Sequence, residues 1–376
     1  MKFRVERDAL AEAVAWAARS LPARPTVPVL AGLLLETTAD GLVLSSFDYE
    51  VSGRVDIDAD VQDQGRALVS GRLLAEITRS LPPLPVQVTT DGAKVVLTCG
   101  SARFTLMTLP VDDYPTLPAM PSGSGSVPGA IFASAVAQVA IAAGRDDTLP
   151  TLTGVRVEIE GDTLTLAATD RYRLAVRELA WSPEQSGLSS TALVPARTLA
   201  DTAKALAGAG EVTVALAGTE GTETLMGFAG GGRRTTTRLI DGEFPKYRAL
   251  LPSESATLAA VETAPFVEAV KRVALVAERN TPVRLSFTSG EVVLDASSGD
   301  EAAASEAVEA IVDGEDISIA FNPQYLLDGL GAVDSAWVQI AFTTSTKPAV
   351  ITGKSDAAAA ANESYRYLLM PVRISG

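Results

Sequence analysis

Residues 155–179 read VRVEIEGDTLTLAATDRYRLAVREL. Apolar and polar residues alternate from Val155 to Ile159, a Gly161-Asp162 pair follows, and alternation resumes at Leu164. Successive side chains of a strand point to opposite faces, so this pattern spells a hairpin with one buried face. Similar text lies on either side. Residues 33–55 read LLLETTADGLVLSSFDYEVSGRV, and residues 283–308 read VRLSFTSGEVVLDASSGDEAAASEAV. After each comes a short strand running into a helical period: ALVSGRLLAEITRSL from Ala67, ALVPARTLADTAKAL from Ala192 and ISIAFNPQYLLDGLGAV from Ile317. A second hairpin pattern then starts at Val86, Val212 and Val338. A helical period opens each block, at Asp8 to Ser20, Ile131 to Ala143 and Pro265 to Arg279.

The spacing is regular. Asp48 to Asp170 is 122 residues, and Asp170 to Ser298 is 128. A period of that size is a whole domain, because solenoid repeats run only about 20–50 residues. The fold class expected is therefore α+β, a domain of two helices and two hairpins repeated three times. Residues 116–130 (TLPAMPSGSGSVPGA) and 249–257 (ALLPSESAT) read as linkers. They bound domains at 1–121, 126–252 and 257–376.

Composition narrows the chemistry. The 376 residues hold no His and one Cys, Cys99. Triads built on His, His- or Cys-rich metal sites and intramolecular disulfides are thereby excluded. With 47% apolar and 20% charged residues the chain reads as globular. Its net charge of −15 excludes an overall basic coating for nucleic acid but leaves room for a local basic patch. Residues 1–121, 122–252 and 253–376 carry −4, −2 and −9 of that total. The N-terminus is charged from Lys2 onward, and the apolar run near Val27–Leu35 is broken by Pro28 and Gly32. A soluble, cytoplasmic protein without a membrane span is expected.

Other motifs fail on inspection. The glycines at 227–232 fall inside a hairpin pattern, and Gly353-Lys354-Ser355 lacks the upstream glycine of a phosphate loop. Asp56, Asp58 and Asp60 alternate like a calcium loop, but Val61 and Ala67 stand where glycine and glutamate are needed. A charged strand edge is the better reading. No metal or cofactor is expected, and no pair of carboxylates stands out as catalytic. The basic residues say more. Arg72 and Arg79, Arg197 and Lys204, and Arg272 and Arg279 are each seven apart, which places each pair on one helix face. Either they form a shared basic surface or they are ordinary helix charges, balanced by Glu76 and Asp201.

A dispersed set of segments is more specific. It comprises Met1-Lys2-Phe3 with Val5-Glu6-Arg7, and Arg24-Pro25-Thr26 with Pro28-Val29-Leu30. Arg103-Phe104 with Thr108-Leu109-Pro110 follows, then Ala168-Thr169-Asp170 with Arg173-Leu174-Ala175-Val176. Phe244-Pro245 with Tyr247-Arg248, Phe321-Asn322 with Tyr325-Leu326, and Tyr367-Leu368-Leu369-Met370-Pro371-Val372-Arg373 complete it. In this order, and over essentially the whole length, the chain resembles the bacterial replicative sliding clamps, the β subunits of DNA polymerase III.

That resemblance implies three domains of the DNA-clamp fold in a head-to-tail homodimer, a ring with helices lining the hole and sheets outside. It implies a non-catalytic processivity factor that encircles double-stranded DNA. DNA-facing candidates are Arg24, which matches a family contact position, and, from helix geometry, Arg72, Arg79, Arg197, Lys204 and Arg272. It further implies a peptide-binding cleft taking short linear motifs of the polymerase III alpha subunit, the clamp loader and repair polymerases. Carried over by motif, the walls are Leu152, Thr169, Arg171, Tyr172, Arg173, Leu174, Pro245, Leu250, Asn322, Tyr325, Pro348, Met370, Pro371, Val372 and Arg373. Arg171-Tyr172 replaces a Gly-His pair of some members, Ala249 an arginine and Asn280 an aromatic. These departures bear on peptide preference rather than on the cleft. The dimer interface would join an edge strand with Phe104 and Leu106 to the partner's third domain near Ala274 and Leu275. Without the resemblance, a repeat-built interaction scaffold that never meets DNA is the alternative, and a triplicated enzyme a remoter one.

Overall fold

The computed structural model describes residues 1–216, 225–277, 281–298 and 301–373. Three successive blocks share one order of elements, except that the third, among the described residues, has no counterpart of the short strand Asp60–Asp63 or Ser182–Pro183. The first block runs β1 (Lys2–Val5), α1 (Arg7–Ala17), β2 (Gly32–Thr38), β3 (Gly41–Phe47), β4 (Val51–Ile57), β5 (Asp60–Asp63), β6 (Gly65–Ser70), α2 (Gly71–Ser80), β7 (Val86–Asp91), β8 (Lys94–Cys99) and β9 (Ala102–Leu109). The second runs β10 (Gly123–Pro128), α3 (Gly129–Ala140), β11 (Gly154–Glu160), β12 (Thr163–Thr169), β13 (Arg173–Ala180), β14 (Ser182–Pro183), β15 (Ser189–Pro195), α4 (Ala196–Leu206), β16 (Glu211–Leu216), β17 (Leu225–Gly230) and β18 (Arg233–Arg238). The third runs β19 (Thr257–Glu262), α5 (Thr263–Ala274), β20 (Val283–Thr288), β21 (Gly290–Ser298), β22 (Ala302–Asp313), β23 (Ile317–Phe321), α6 (Pro323–Ala332), β24 (Trp337–Phe342), β25 (Ala349–Lys354) and β26 (Asn362–Leu369).

The hairpins read from sequence are three-stranded meanders. Each alternating run continues through a second turn into β4, β13 or β22, and each later hairpin into β9, β18 or β26. The turns after β3 and β12 hid because they contain no glycine. At Asp48 and Asp170 the carboxylate replaces it, accepting the turn's backbone N–H groups at 2.6–3.1 Å. The stretch 116–130, read as linker, also holds β10 and the start of α3. β10 pairs with β16 through its backbone, which glycine and serine supply as well as any residue.

By internal contact the chain forms two units, and the central block contributes to both. In Met1–Ala133, Ser182–Leu188 and Asp201–Leu239 a 14-stranded sheet runs β14-β10-β16-β17-β18-β4-β3-β2-β6-β9-β8-β7-β1-β5. Blocks one and two join there through the antiparallel pair β4·β18, with Val55 opposite Arg233. Helices α1 and α2 pack together on this unit. Leu74 and Ile77 of α2 are buried while Arg72 and Arg79 are exposed, the 3.6-residue period of a helix lying on a core. The Trp16 indole donates to the Arg54 carbonyl at 3.2 Å and carries Arg233 over its ring at 5.6 Å. β5, the far edge strand, holds Asp60 and Asp63, consistent with a charged edge.

In Ser134–Trp181, Ser189–Ala200 and Ile240–Gly376 a 12-stranded sheet runs β15-β11-β12-β13-β26-β25-β24-β19-β22-β21-β20-β23. Here blocks two and three join through β13·β26, with Arg173 opposite Leu369. Helices α5 and α6 pack side by side. Asn322 caps α6, accepting from the N–H groups of Gln324 and Tyr325 at 2.9 and 3.1 Å.

Candidate functional site

The turn between β12 and β13 organises the site. Asp170 Oδ1 accepts the Tyr172 and Arg173 N–H groups, which frees Asp170 Oδ2 for the Arg173 guanidinium at 2.9 Å. The same guanidinium donates to Asp328 at 2.6 Å and lies over the Tyr325 ring, 4.4 Å from its centre. Tyr172 stacks on Tyr325 with centroids 6.3 Å apart. Arg173 is buried. Burial works against its charge, but Tyr367, Asp328 and Asp170 outweigh that effect and hold the guanidinium firmly protonated. This network ties the turn of the second block to α6 of the third.

Beside the network opens a cavity of about 800 Å³, lined by Leu149, Leu152, Tyr172 and Tyr325 with Arg145, Asp146, Asp170, Arg171, Arg173, Gln324 and Asp328. Apolar and aromatic side chains share this lining about equally with charged and polar ones, which suits a ligand that places large side chains and is oriented by hydrogen bonds and charge. Of the residues expected as cleft walls, Leu152, Arg171, Tyr172, Arg173 and Tyr325 line this cavity. Thr169 is buried, donating to the Arg173 carbonyl at 2.6 Å, and so positions the turn instead.

Leu174 is 0% exposed and belongs to a cluster with Val176, Leu193, Phe244, Tyr247 and Leu368. It is floor rather than open wall. Residues outside the cluster but close in sequence to Phe244, Leu251 and Leu368 reach the surface: Pro245 is half-buried, while Leu250 and Met370 (39%) are exposed. The Met370 N–H donates to the Tyr172 carbonyl at 2.9 Å and the Val372 N–H to the Ala320 carbonyl at 2.8 Å, which fixes the tail that carries Pro371 and Arg373. Asn322 is the α6 cap, and Pro348 precedes β25, whose Val350 packs on the cluster. Asn280 lies outside the described residues.

Sequence reading missed the carboxylate that holds the segment carrying the wall candidates Pro245 and Leu250. Glu158 on β11 is buried and accepts from Tyr247 Oη at 2.8 Å, Arg156 Nε at 2.5 Å and Arg248 at 2.6 Å. Burial works to raise its pKa, yet the three donors outweigh burial and hold the carboxyl below the usual range. Glu158 thus anchors the 245–250 segment. Its signal in the sequence was one polar residue among alternating apolar ones, which equally spells an exposed strand face.

Comparison with known proteins decides the family. Three models of the DNA polymerase III beta subunit match in order: the N-terminal domain over residues 1–118, the central domain over 126–246 and the C-terminal domain over 248–373. A beta sliding clamp of Streptomyces coelicolor is 64% identical over 376 residues, all of both chains. The chain belongs to the DNA polymerase III beta subunit family, the beta sliding clamps. A homologue from Streptomyces muensis, named GriR, is 50% identical over 99% of each chain. The solved Bacillus subtilis sliding clamp superposes with a TM-score of 0.91 at 27% identity over the full length of both chains. A Pseudomonas aeruginosa clamp solved with griselimycin gives the same TM-score, identity and coverage.

The function is accordingly that of a DNA sliding clamp, a non-catalytic processivity factor in DNA replication. Membership implies DNA and a polymerase as partners and the formation of a dimer. No helix among the described residues is long and apolar enough to cross a membrane.

As for the clamp's DNA-facing candidates, Arg24, Arg72, Arg79, Arg197 and Lys204 are all exposed. Arg72 donates to the carbonyls of Pro22 and Ala23 at 3.0 and 3.2 Å, so it also anchors the loop bearing Arg24. Arg272 differs. It makes a two-point ion pair with Glu306 on β22 at 2.5 and 3.0 Å, which spends its charge locally. Arg279 lies outside the described residues. Among the interface candidates, Phe104 is exposed on β9, Ala274 is half-buried and Leu275 is 83% exposed at the end of α5. Leu106 is buried, although it shares a face of β9 with the exposed Phe104 two residues before it. Met107 (62% exposed), which sequence reading did not name, stands on the outer side.

Proposed function

We propose that two copies of this clamp close head to tail into a ring that encircles duplex DNA. One observation carries the reading. Within the chain, the third strand of a first meander pairs twice with the third strand of a second meander, as β4·β18 and as β13·β26. The remaining members of the two sets are β22 and β9. β9 is paired on one side only over Ala102–Met107, and β22 over Ala302–Glu309. Two open edges of matching kind at opposite ends of the repeat call for a partner, and a second copy offers both. Phe104 and Met107 beside β9, and Leu275 beside β22, would supply the apolar part of that contact. Leu106 supports it from the core, and Arg103 would meet the glutamates of β22.

In this reading the three domains are 1–121, 126–252 and 257–376. Arg24, Arg72, Arg79, Arg197 and Lys204 face the DNA, while Arg272 serves β22. Topology holds the ring on, so a few loose phosphate contacts suffice, and an acidic exterior limits adhesion elsewhere. Short linear motifs of the polymerase III alpha subunit, the clamp loader and repair polymerases would dock in the cleft of Leu152, Tyr172, Tyr325, Pro245, Leu250 and Met370. Their leucine and phenylalanine anchors would lie over the Leu174 cluster, and Met370 adapts to different anchors. The compartment is the cytoplasm. The test is fluorescence-anisotropy titration with a Gln-Leu-Ser-Leu-Phe peptide. The protein binds it saturably, and Met370→Ala with Leu250→Ala, both at exposed side chains, weakens binding about tenfold or more. Equal affinity in the double variant removes the cleft assignment.

A further inference from the structure

Arg171 is the first residue of the two-residue turn between β12 and β13, with φ 80°. Glycine adopts that conformation freely, while another L-residue there costs about 1 kcal/mol. The first block builds the same turn, with Asp48 as acceptor and Tyr49 at φ 76°. There the side chain has a use within the chain, its ring centre lying 5.5 Å from that of Phe47. Arg171 has no such contact: among the described residues its guanidinium closes no ion pair and no hydrogen bond, although it lines the 800 Å³ cavity. Arg145 lines the same cavity and likewise closes neither.

The carboxylates of the cavity are all engaged. Asp170 and Asp328 hold Arg173, and Asp146 accepts the Thr148 N–H and hydroxyl at 3.0 and 2.7 Å. Those two bonds are the main reason the Asp146 carboxyl sits below its ordinary pKa, and the more distant charge of Arg171 adds to them. Two cations therefore face the cavity and, among the described residues, no acid is in contact with either. We propose that Arg171, together with Arg145, reads a carboxylate carried by the docking peptide beside its apolar anchors. This rests on the cleft reading and adds a specificity to it: among peptides with equal anchors, those with a flanking Asp or Glu are preferred. Backbone strain kept for a side chain that faces a binding cavity is how a recognition residue is expected to look.

The experiment titrates three peptides against the intact protein: Gln-Leu-Ser-Leu-Phe flanked by Asn on both sides, by Asp on the N-terminal side, or by Asp on the C-terminal side. One Asp peptide binds about three- to fivefold tighter than the neutral one, and the gain shrinks as salt rises. In Arg171→Gly, which relaxes the turn, the ratio of the Asp-peptide to the neutral-peptide affinity falls to about one, whatever the change in affinity for the neutral peptide. Arg171→Lys retains part of the gain. Equal binding of all three peptides to the wild type, or a gain that survives both Arg171→Gly and Arg145→Ala, overturns the proposal while leaving the cleft in place. Failure of the neutral peptide to bind at all overturns the cleft reading and this one with it.

Discussion

At the scale of single residues, the cleft depends on charges that are buried and fully partnered. Glu158 is the clearest case. Its pKa is depressed in the folded chain, so the stability it contributes is present above the ordinary glutamate range and is lost as pH falls through the lower folded value. Glu158→Gln is expected to cost about 2 kcal/mol at pH 7. The gap to the wild type should close below about pH 4. Urea midpoints at pH 7, 5 and 3.5 check this, and a gap that is absent at pH 7 or constant with pH contradicts it. The burial of Leu174 makes a second point. Leu174→Ala would open a hole in a packed cluster, so a loss of peptide binding in it would mix destabilisation with recognition. Met370 and Leu250 are the cleaner probes. Residue identities in the cleft were legible only through resemblance. Composition cannot tell that Leu174 is buried and Met370 exposed, since both are apolar and the difference is that Leu174 lies within the β13·β26 ladder and Met370 just past its end.

At the scale of elements, alternation and helical period located every helix and most strands, because burying one face imposes those periods on the sequence. What escaped was backbone-defined. β10 is made from glycine and serine that pair with β16, and the turns after β3 and β12 use aspartate in place of glycine. Leu106 was expected at the interface beside Phe104, and it is buried, although period two puts both on one face of β9: the pattern gives the face, not how much of it is covered. Close approach of α6 to the sheet is another such feature: a Cβ on Gly329 would lie 2.4 Å from the fully buried Tyr367 ring. Gly329→Ala is expected to destabilise by about 1–3 kcal/mol, read from the thermal midpoint, and an unchanged midpoint would show that α6 can shift at no cost. The edges themselves are tested by Phe104→Asp with Leu275→Asp. By analytical ultracentrifugation the wild type is expected at twice the 39.0 kDa of the chain. The double variant should sediment as a monomer, whereas a dimer that persists would place the interface elsewhere.

At the scale of the whole molecule, the proposed ring would keep an acidic chain on DNA without tight contacts. Charge reversal at Arg24 and Arg197 should lower the yield of clamp on DNA and leave dimer mass unchanged. Unaltered loading would remove both from the DNA-facing surface. The central claim is topological, since a closed ring is held by the shape of the DNA rather than by affinity. The most direct measurement loads the clamp, with its loader and ATP, onto nicked circular DNA, isolates the complex by gel filtration at moderate salt, and then cuts the circle once. Encirclement predicts clamp retained on the circle and released when the DNA is made linear. Retention that does not change on cutting would show that contacts, not encirclement, hold it there.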